Sequence, residues 1–473
     1  MSVIELHDVY DQLLDRLVDA SGVSRDILAS VLVRMMVRAP DDVPRADIAK
    51  GTMLLRPTTL NAGAVSKTVA ALVDAGLLTD GALQADQRRA GRPIKPLRLG
   101  SDRWGLAGIK VVYEDGSATG LTGVVTTLRG DILIKLESEL SEEAALETVA
   151  EGMRVLAGRL RDALVEEDAG LEGGPRELLG VGIAHGGHIH DGHVIGATHL
   201  GIGSGVAFDL ATPVREELGV PVVVDNTVNV LATREIYRPV YPDPNIAFVA
   251  VFDDGVGASL ILNGHVYRGA EGMAAEPGHQ VVQGASEPTP DLRERDGKPG
   301  FDDPCHCGQS GHVDCYAVPT RLRAEVCGGS FAAAAEMGAR DEQGELTRAG
   351  WAFKRGGEAL GQGVASIINV VNPSRVVLLL PPALGQVDIG SGTAAGAYRR
   401  AVEDAVTRHS FSTGAQVARA DGRSLTVHVL DPPDIPELGA KCAAIRAFDT
   451  FIEHARGRDG CRPPRRHRAH PAA

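Results

Sequence analysis

The stretch Pro304–Cys315, PCHCGQSGHVDC, puts three cysteines and two histidines into twelve residues. Thiolate and imidazole are the ligands of structural zinc, and Cys305-x-Cys307 offers two thiolates on one turn. The chain has six cysteines in 473 residues, too few for a disulfide framework. Three in one window point to a metal, with unliganded loop thiols as the alternative. Whether such a site does chemistry or braces a wall is decided by the residues around it.

Composition narrows the field. A chain of this length suggests two to four domains, and 44% hydrophobic residues is ordinary for a globular protein. No apolar run is long enough to span a bilayer and no secretory leader is recognised, so a cytoplasmic protein without membrane contact is expected. Aromatics make up 4%, which argues against nucleic-acid recognition by base stacking. The net charge of −14 is uneven: the first hundred residues carry 13 Lys and Arg against 12 Asp and Glu, and the remainder 35 against 50. An acidic body repels DNA, so any such contact falls to the N-terminal part or to the basic tail RPPRRHRAH.

The N-terminal hundred residues read as helices followed by a hairpin. DVYDQLLDRLVDA and SRDILASVLVRMMVRA have helical spacing, and ADIAKGT fits a short helix. In NAGAVSKTVAALVDAGLL, Val65, Val69, Leu72 and Val73 share one face and Gly76 ends the helix. TDGALQADQRRAGRPIKPLRLG then suits a β-wing. This is the order of a winged helix-turn-helix, although GTMLLRPTTLNAG makes a long turn. Solvent-facing Ser66, Lys67 and Thr68 are the expected contacts to double-stranded DNA, with Arg88, Arg89 and Arg92 of the wing on phosphates. The alternative is a helical dimerisation domain with a solvated basic hairpin.

From Ser101 the pattern changes to α/β. RWGLAGIKVVY, ATGLTGVVTTL and GDILIKLESEL read as strands, followed by a long amphipathic helix ending at DALVEE. ELLGVGIAHGG, PVVVDNTVNVLATREIYR, IAFVAVFDDGVGASLILNGHVYRGA and GQGVASIINVVNPSRVVLLL add further strands, glycine turns and helices. Two successive units of three strands with helices suggest a duplicated core with a cleft between lobes.

Several of these pieces, in this order, resemble the ROK proteins, a family of repressors, uncharacterised frames and sugar kinases. They are AGRPIKPLRL, GVGIAHGGHIHDGHVIG, PVVVDNTVNVLATRE, DDGVGASLILNGHVYRGAEGMAAEPGH, CHCGQSGH and IINVVNPSRVVLL. EPGH and CHCGQSGH are the most specific. The resemblance runs from about Ser24 to about Ile452. It implies a winged helix-turn-helix over 1–100, then a two-lobed actin-like sugar-kinase (ribonuclease H-like) ATPase fold over 101–455 with a zinc loop at 279–315. Residues 456–473 are expected to be a disordered basic tail. Members with a winged helix are usually sugar-responsive transcription factors, and members without one are usually kinases.

The resemblance also shows what is missing for phosphoryl transfer. The general base is the Asp of an N-D-x-N turn, and here DNTVN puts Thr227 in that place, a hydroxyl that cannot accept a proton at neutral pH. Asp225 is the neighbouring carboxylate, and strand alternation points it to the opposite face. The first phosphate loop matches KVVYEDG badly, with Lys110 at the aspartate position. In the second, DDGVG brings Asp253 and Asp254 towards phosphates. The late G-G turn reads LLLPP. A regulator without catalytic residues is expected; a sugar kinase with an accessory helical domain and an interaction scaffold are the alternatives.

By the same resemblance, a sugar or sugar derivative would meet Asn226, Glu276 and His279, with Thr227 and Asp314 as altered members of the set. His199, in ATHLG, stands where the family often has asparagine. Two changes in a hydroxyl-binding cluster imply a changed ligand; the alternative is a cleft whose polar groups satisfy one another. The resemblance completes a structural zinc site as His279, Cys305, Cys307 and His312, with Cys315 competing with His312. His306 points away if its neighbours point in. The segment QGASEPTPDLRERDGKPGFDDP reads as a surface insertion. No ligand position is left open for water and no substrate-facing base accompanies the set, so a structural rather than a catalytic zinc is expected. Symmetric operators favour a homodimer or homotetramer.

Overall fold

The computed structural model describes residues 4–39, 43–48, 61–81, 96–100, 102–114, 117–141, 145–171, 174–196, 207–237, 245–282, 301–326, 329–411, 426–430 and 434–457. The N-terminal unit holds α1 (Ile4–Ser21), α2 (Arg25–Arg38), α3 (Arg45–Ile48), α4 (Ala62–Asp74), β1 (Leu78–Asp80) and β2 (Leu97–Leu99). Asn61 caps α4 by accepting the Gly63 N–H at 2.8 Å, and Gly76 leaves the helix with φ +73°, a left-handed conformation that suits glycine. β1 and β2 pair antiparallel, Leu78 opposite Leu99, forming the base of the expected wing; residues 82–95 lie outside the described residues.

The body begins with β3 (Trp104–Glu114), β4 (Ser117–Thr127), β5 (Ile132–Glu139), α5 (Leu146–Glu167) and β6 (Glu177–His185). It continues with β7 (His188–His190), β8 (His193–Gly196), β9 (Phe208–Asp209), α6 (Ala211–Leu218), β10 (Val222–Asn226) and α7 (Thr227–Ile236). The second half has β11 (Ile246–Val251), β12 (Val256–Leu262), β13 (His265–Tyr267), α8 (Asp314–Ala317), α9 (Pro319–Val326), α10 (Phe331–Glu336) and α11 (Arg348–Val371). β14 (Arg375–Leu379), α12 (Pro382–Gly385), α13 (Ala394–His409), β15 (Thr426–Leu430) and α14 (Ile435–Ala455) complete it.

The duplication predicted from the strand pattern is present, but each half is a five-stranded sheet rather than a three-stranded unit. The orders are β10-β6-β3-β4-β5 and β13-β12-β11-β14-β15. In both, a three-stranded antiparallel meander is extended by two parallel strands. The parallel strands are separated in sequence from the meander by helices, which hid the fourth and fifth strands from a count of consecutive segments.

Alternation along the strands builds the layers. Ile109 and Val111 of β3, with Val181 and Ile183 of β6, pack on Met153 and Leu156 of α5. On the opposite face, glycines let α14 lie close: a Cβ on Gly108 would sit 1.9 Å from the Ala440 carbonyl oxygen, and one on Gly182 1.8 Å from that of Ala443. The second sheet packs Phe248 and Val377 towards α7 and α14, and Val249 and Leu378 towards α11 and α13. α14 therefore runs between the lobes. Its far end, with Phe448, Phe451 and Ile452, shares one core with Leu14, Leu32 and Leu72 of the N-terminal unit. That unit is seated on the helix that also lies against the cleft.

Candidate functional site

A cavity of about 450 Å3 opens between the sheets. The β10–α7 junction forms one wall. Asn226 caps α7: its side-chain oxygen accepts the Val228 N–H at 2.8 Å, and its amide donates to the Gly187 carbonyl at 2.6 Å. Both groups also hold the turn after β6 against the helix. Thr227 follows at the first helical position, 5% exposed, and its hydroxyl has no hydrogen-bond partner. Both residues line the cavity.

Asp225 does not line it. Its Oδ1 accepts from the Asn226 N–H at 2.9 Å and from Asn229 at 3.1 Å, and its Oδ2 meets Arg268 and, at 3.2 Å, Arg446. Burial alone would raise this carboxyl; the two guanidinium charges outweigh it and hold it below its ordinary range. A carboxylate fixed this way is a poor proton acceptor.

Another part of the lining is acidic. Asp253, Asp254 and Gly255 form the β11–β12 turn, closed by the Phe252 N–H to the Gly255 carbonyl at 2.9 Å, and Pro381 and Pro382 close the end of β14. Lys110 reaches the cavity from β3.

Glu276 precedes the single turn Pro277–His279, and His279 ends it. Glu276 pairs with His188 Nε2 at 3.3 Å, and this bond raises the imidazole pKa. The glycine of EPGH is there for close approach: a Cβ on Gly278 would lie 2.3 Å from Asp314 Oδ1. That oxygen accepts the Val256 N–H at 2.8 Å, and burial pushes the Asp314 carboxyl up to about 7. Asp314 thus ties the cysteine-rich loop to the glycine turn of β12 while lining the cavity.

His279, Cys305, Cys307 and His312 converge, with one ligand atom from each lying within 4.8 Å of the others. His279 Nδ1 is 3.5 Å from Cys305 Sγ, and His312 Nδ1 is 3.4 Å from Cys307 Sγ. A tetrahedral zinc with ordinary Zn–S and Zn–N bonds separates sulfur and nitrogen by about 3.5 Å, so this donor set fits one metal ion. Cys315 is buried in the hydrophobic core beside Tyr316 and Ala317 and is outside the converging set. His306 is exposed and lines the cavity.

From Asp225 a charged network runs along α14. Arg446 Nη1 meets Glu453 at 2.9 Å and also Asp449, which takes the Tyr237 hydroxyl. His454 Nε2 is 3.0 Å from Asp11 of α1, which Arg25 of α2 also binds.

In the N-terminal unit, Ser66 and Lys67 are exposed on α4. Thr68 is a correction: it is fully buried, not solvent-facing. It lies three residues after Val65 and four before Leu72, which puts it on the apolar stripe. Arg88, Arg89, Arg92 and His199 lie outside the described residues. The sequence reading gave no binding role to Lys110, His188 or His306. A lysine within an apolar strand was the available signal for the first.

The model of the ROK family matches residues 125–379. The chain is 26% identical over 224 residues to a glucokinase of Halalkalibacterium halodurans, spanning 47% of this chain and 58% of that protein. It is 24% identical over 330 residues to the xylose repressor of Bacillus subtilis, spanning 68% and 75%. Among solved structures, a ROK family transcriptional regulator homologous to the E. coli MLC protein superposes with a TM-score of 0.63 at 18% identity, over 91% of this chain and 98% of that one. A ROK hexokinase from Thermus thermophilus gives 0.51 at 20% identity, over 73% and 98%. An alignment over 91% of the chain has to include part of the first hundred residues, so the regulator shares the fold beyond the kinase-like body.

Proposed function

This chain belongs to the ROK family, and from that premise we propose that it is a DNA-binding transcriptional repressor that senses a sugar or sugar derivative in a kinase-like cleft without phosphorylating it. The observation that carries this reading is Thr227. The cleft presents a hydroxyl at the start of α7, and the adjacent Asp225 is turned away and doubly paired with arginine. Proton abstraction from a sugar hydroxyl needs a carboxylate within hydrogen-bond reach. The acidic turn at Asp253 and Asp254 and the two prolines after β14 disfavour a nucleotide.

DNA binding is assigned to α4, with Ser66 and Lys67 outward, and to the wing. α14 is the proposed relay: effector binding against Asn226, Thr227, Glu276, His279 and Asp314 would shift the β10–α7 junction, and Arg446 and His454 lie between that junction and Asp11 of the N-terminal unit. Lobe closure would then change the spacing of winged helices in a homodimer or homotetramer. The cluster of His279, Cys305, Cys307 and His312 is assigned to structural zinc, which would cross-link the loop to the wall carrying His279. Such a regulator acts in the cytoplasm; among the described residues no helix is long and apolar enough to cross a membrane.

A sugar kinase with an accessory DNA-binding unit is the second reading, favoured by the likeness to a glucokinase. The two separate in one pair of assays. The regulator shifts a fragment from upstream of its own gene and releases it with a sugar ligand; phosphoryl transfer from ATP to any hexose at an enzyme-like rate overturns that reading.

A further inference from the structure

Two buried polar groups in the cavity are incompletely satisfied: the Lys110 ammonium has no counter-ion among the described residues, and the Thr227 hydroxyl has no hydrogen-bond partner. Lys110 is 7% exposed. Its stem lies across Gly439, where an added Cβ would meet Lys110 Cδ at 2.9 Å, and the first residues of the same helix, Ile435 and Pro436, line the cavity. Its ammonium donates to the Val111 carbonyl and lies 5.3 Å from the Tyr113 ring centroid. Among the described residues no carboxylate lies within ion-pair distance of it. Thr227 is 5% exposed and its hydroxyl is unpartnered. A buried cation without a counter-ion and a buried hydroxyl without a partner are both unfavourable unless a ligand supplies the missing groups.

The carboxylates of the cavity do not fill that role. Glu276 is engaged by His188, and Asp314 by the Val256 N–H. Asp253 and Asp254 belong to the β11–β12 turn. At Lys110, on β3 and against α14, the cavity offers a cation alone.

We propose that the effector is an acidic sugar derivative, whose phosphate or carboxylate pairs with Lys110 and one of whose oxygens meets the Thr227 hydroxyl. This deepens the sugar-sensing reading and rests on it. Lysine is a point charge suited to either anion, and a site built around it rejects a neutral analogue because the ammonium is left buried and unpaired. Burial pushes the Lys110 ammonium down to about 7, so an arriving anion also restores its charge.

The test is calorimetric titration of the full-length protein with each member of three sets: neutral hexoses, their 6-phosphates and their uronic acids. The acidic member of a pair is expected to bind at least about tenfold tighter than its parent hexose, and the better arm decides between phosphate and carboxylate. Lys110→Met keeps the stem over Gly439 and is expected to remove that preference. Thr227→Val, which keeps shape and removes the hydroxyl, is expected to weaken acidic ligands about tenfold or less. Equal affinity for neutral and acidic members, unchanged in Lys110→Met, overturns this inference and leaves sugar sensing intact. Absence of binding by every member overturns both.

Discussion

His454 Nε2, on the last turn of α14, lies 3.0 Å from Asp11 Oδ1 on α1. About two turns earlier on the same helix, Arg446 Nε lies 3.2 Å from Asp225 Oδ2 at the edge of the cleft. One rigid element therefore touches both the candidate effector site and the candidate DNA-binding unit. Asp11→Asn keeps the shape and removes the charge. It is expected to leave effector affinity within about twofold while cutting the effector-induced change in DNA affinity by about fivefold or more, the scale of a typical coupling energy. Paired titrations with and without effector measure both quantities.

The same helix can be weakened at its centre. Arg446 is buried with Asp225, Asp449 and Glu453 around it. Arg446→Met removes the cation shared by three buried carboxylates, of which Asp225 keeps Arg268, and is expected to cost about 3–5 kcal/mol, read as a lowered urea midpoint.

The metal cluster makes an ordered set of expectations. The purified protein should carry about one zinc per chain. Cys305→Ser should lose it and lower the melting temperature by more than about 5 °C. Cys315→Ala, outside the converging ligands, should retain it. Metal analysis and calorimetry on the three proteins distinguish His312 from Cys315 as the fourth ligand.

On α4, exposed Lys67 and buried Thr68 should behave differently. Lys67→Ala is expected to lower the slope of log affinity against log salt by about 0.9, as for one lost phosphate contact. Thr68→Val replaces a buried, unpartnered hydroxyl and should leave that slope unchanged while slightly raising stability.

Lys110 gives a pH signature without any ligand. Its folded pKa is about 7 against an ordinary 10.5, lowered by burial. Between these values the unfolded chain binds more protons than the folded one, so this group makes stability rise with pH across that window. Lys110→Met lacks the slope. The variant should therefore be more stable than the parent by its largest margin below about pH 7, and the margin should shrink towards about pH 10. A margin independent of pH contradicts the buried, unpaired lysine.

Much of the architecture was legible in the chain. The 3.6-residue stripes of α2 and α4 indicate the N-terminal helices, the apolar strands and the order of the glycine turns indicate the two-lobed fold, and Cys305 and Cys307, one residue apart, point to the converging His/Cys cluster. Strand alternation correctly sent Asp225 away from the cleft. Other features depend on contacts distant in sequence. The shared core of α14 and the N-terminal unit joins Leu14 to Phe448, and no local pattern announces it. Thr68 was misjudged because a small polar residue fits either a surface or an apolar stripe. Lys110 registered only as a lost aspartate, since its burial follows from the close approach of Gly439.

The most direct measurement of the central claim is a fluorescence anisotropy titration of full-length protein on a labelled DNA fragment from upstream of its own gene, at low and at physiological salt, with the sugar, sugar-phosphate and uronate panel added to the complex. The account expects salt-sensitive binding that at least one panel member reverses, with no sugar phosphate formed when ATP and hexose are present. No binding at low salt, together with ATP-dependent phosphorylation of a hexose at an enzyme-like rate, would contradict it.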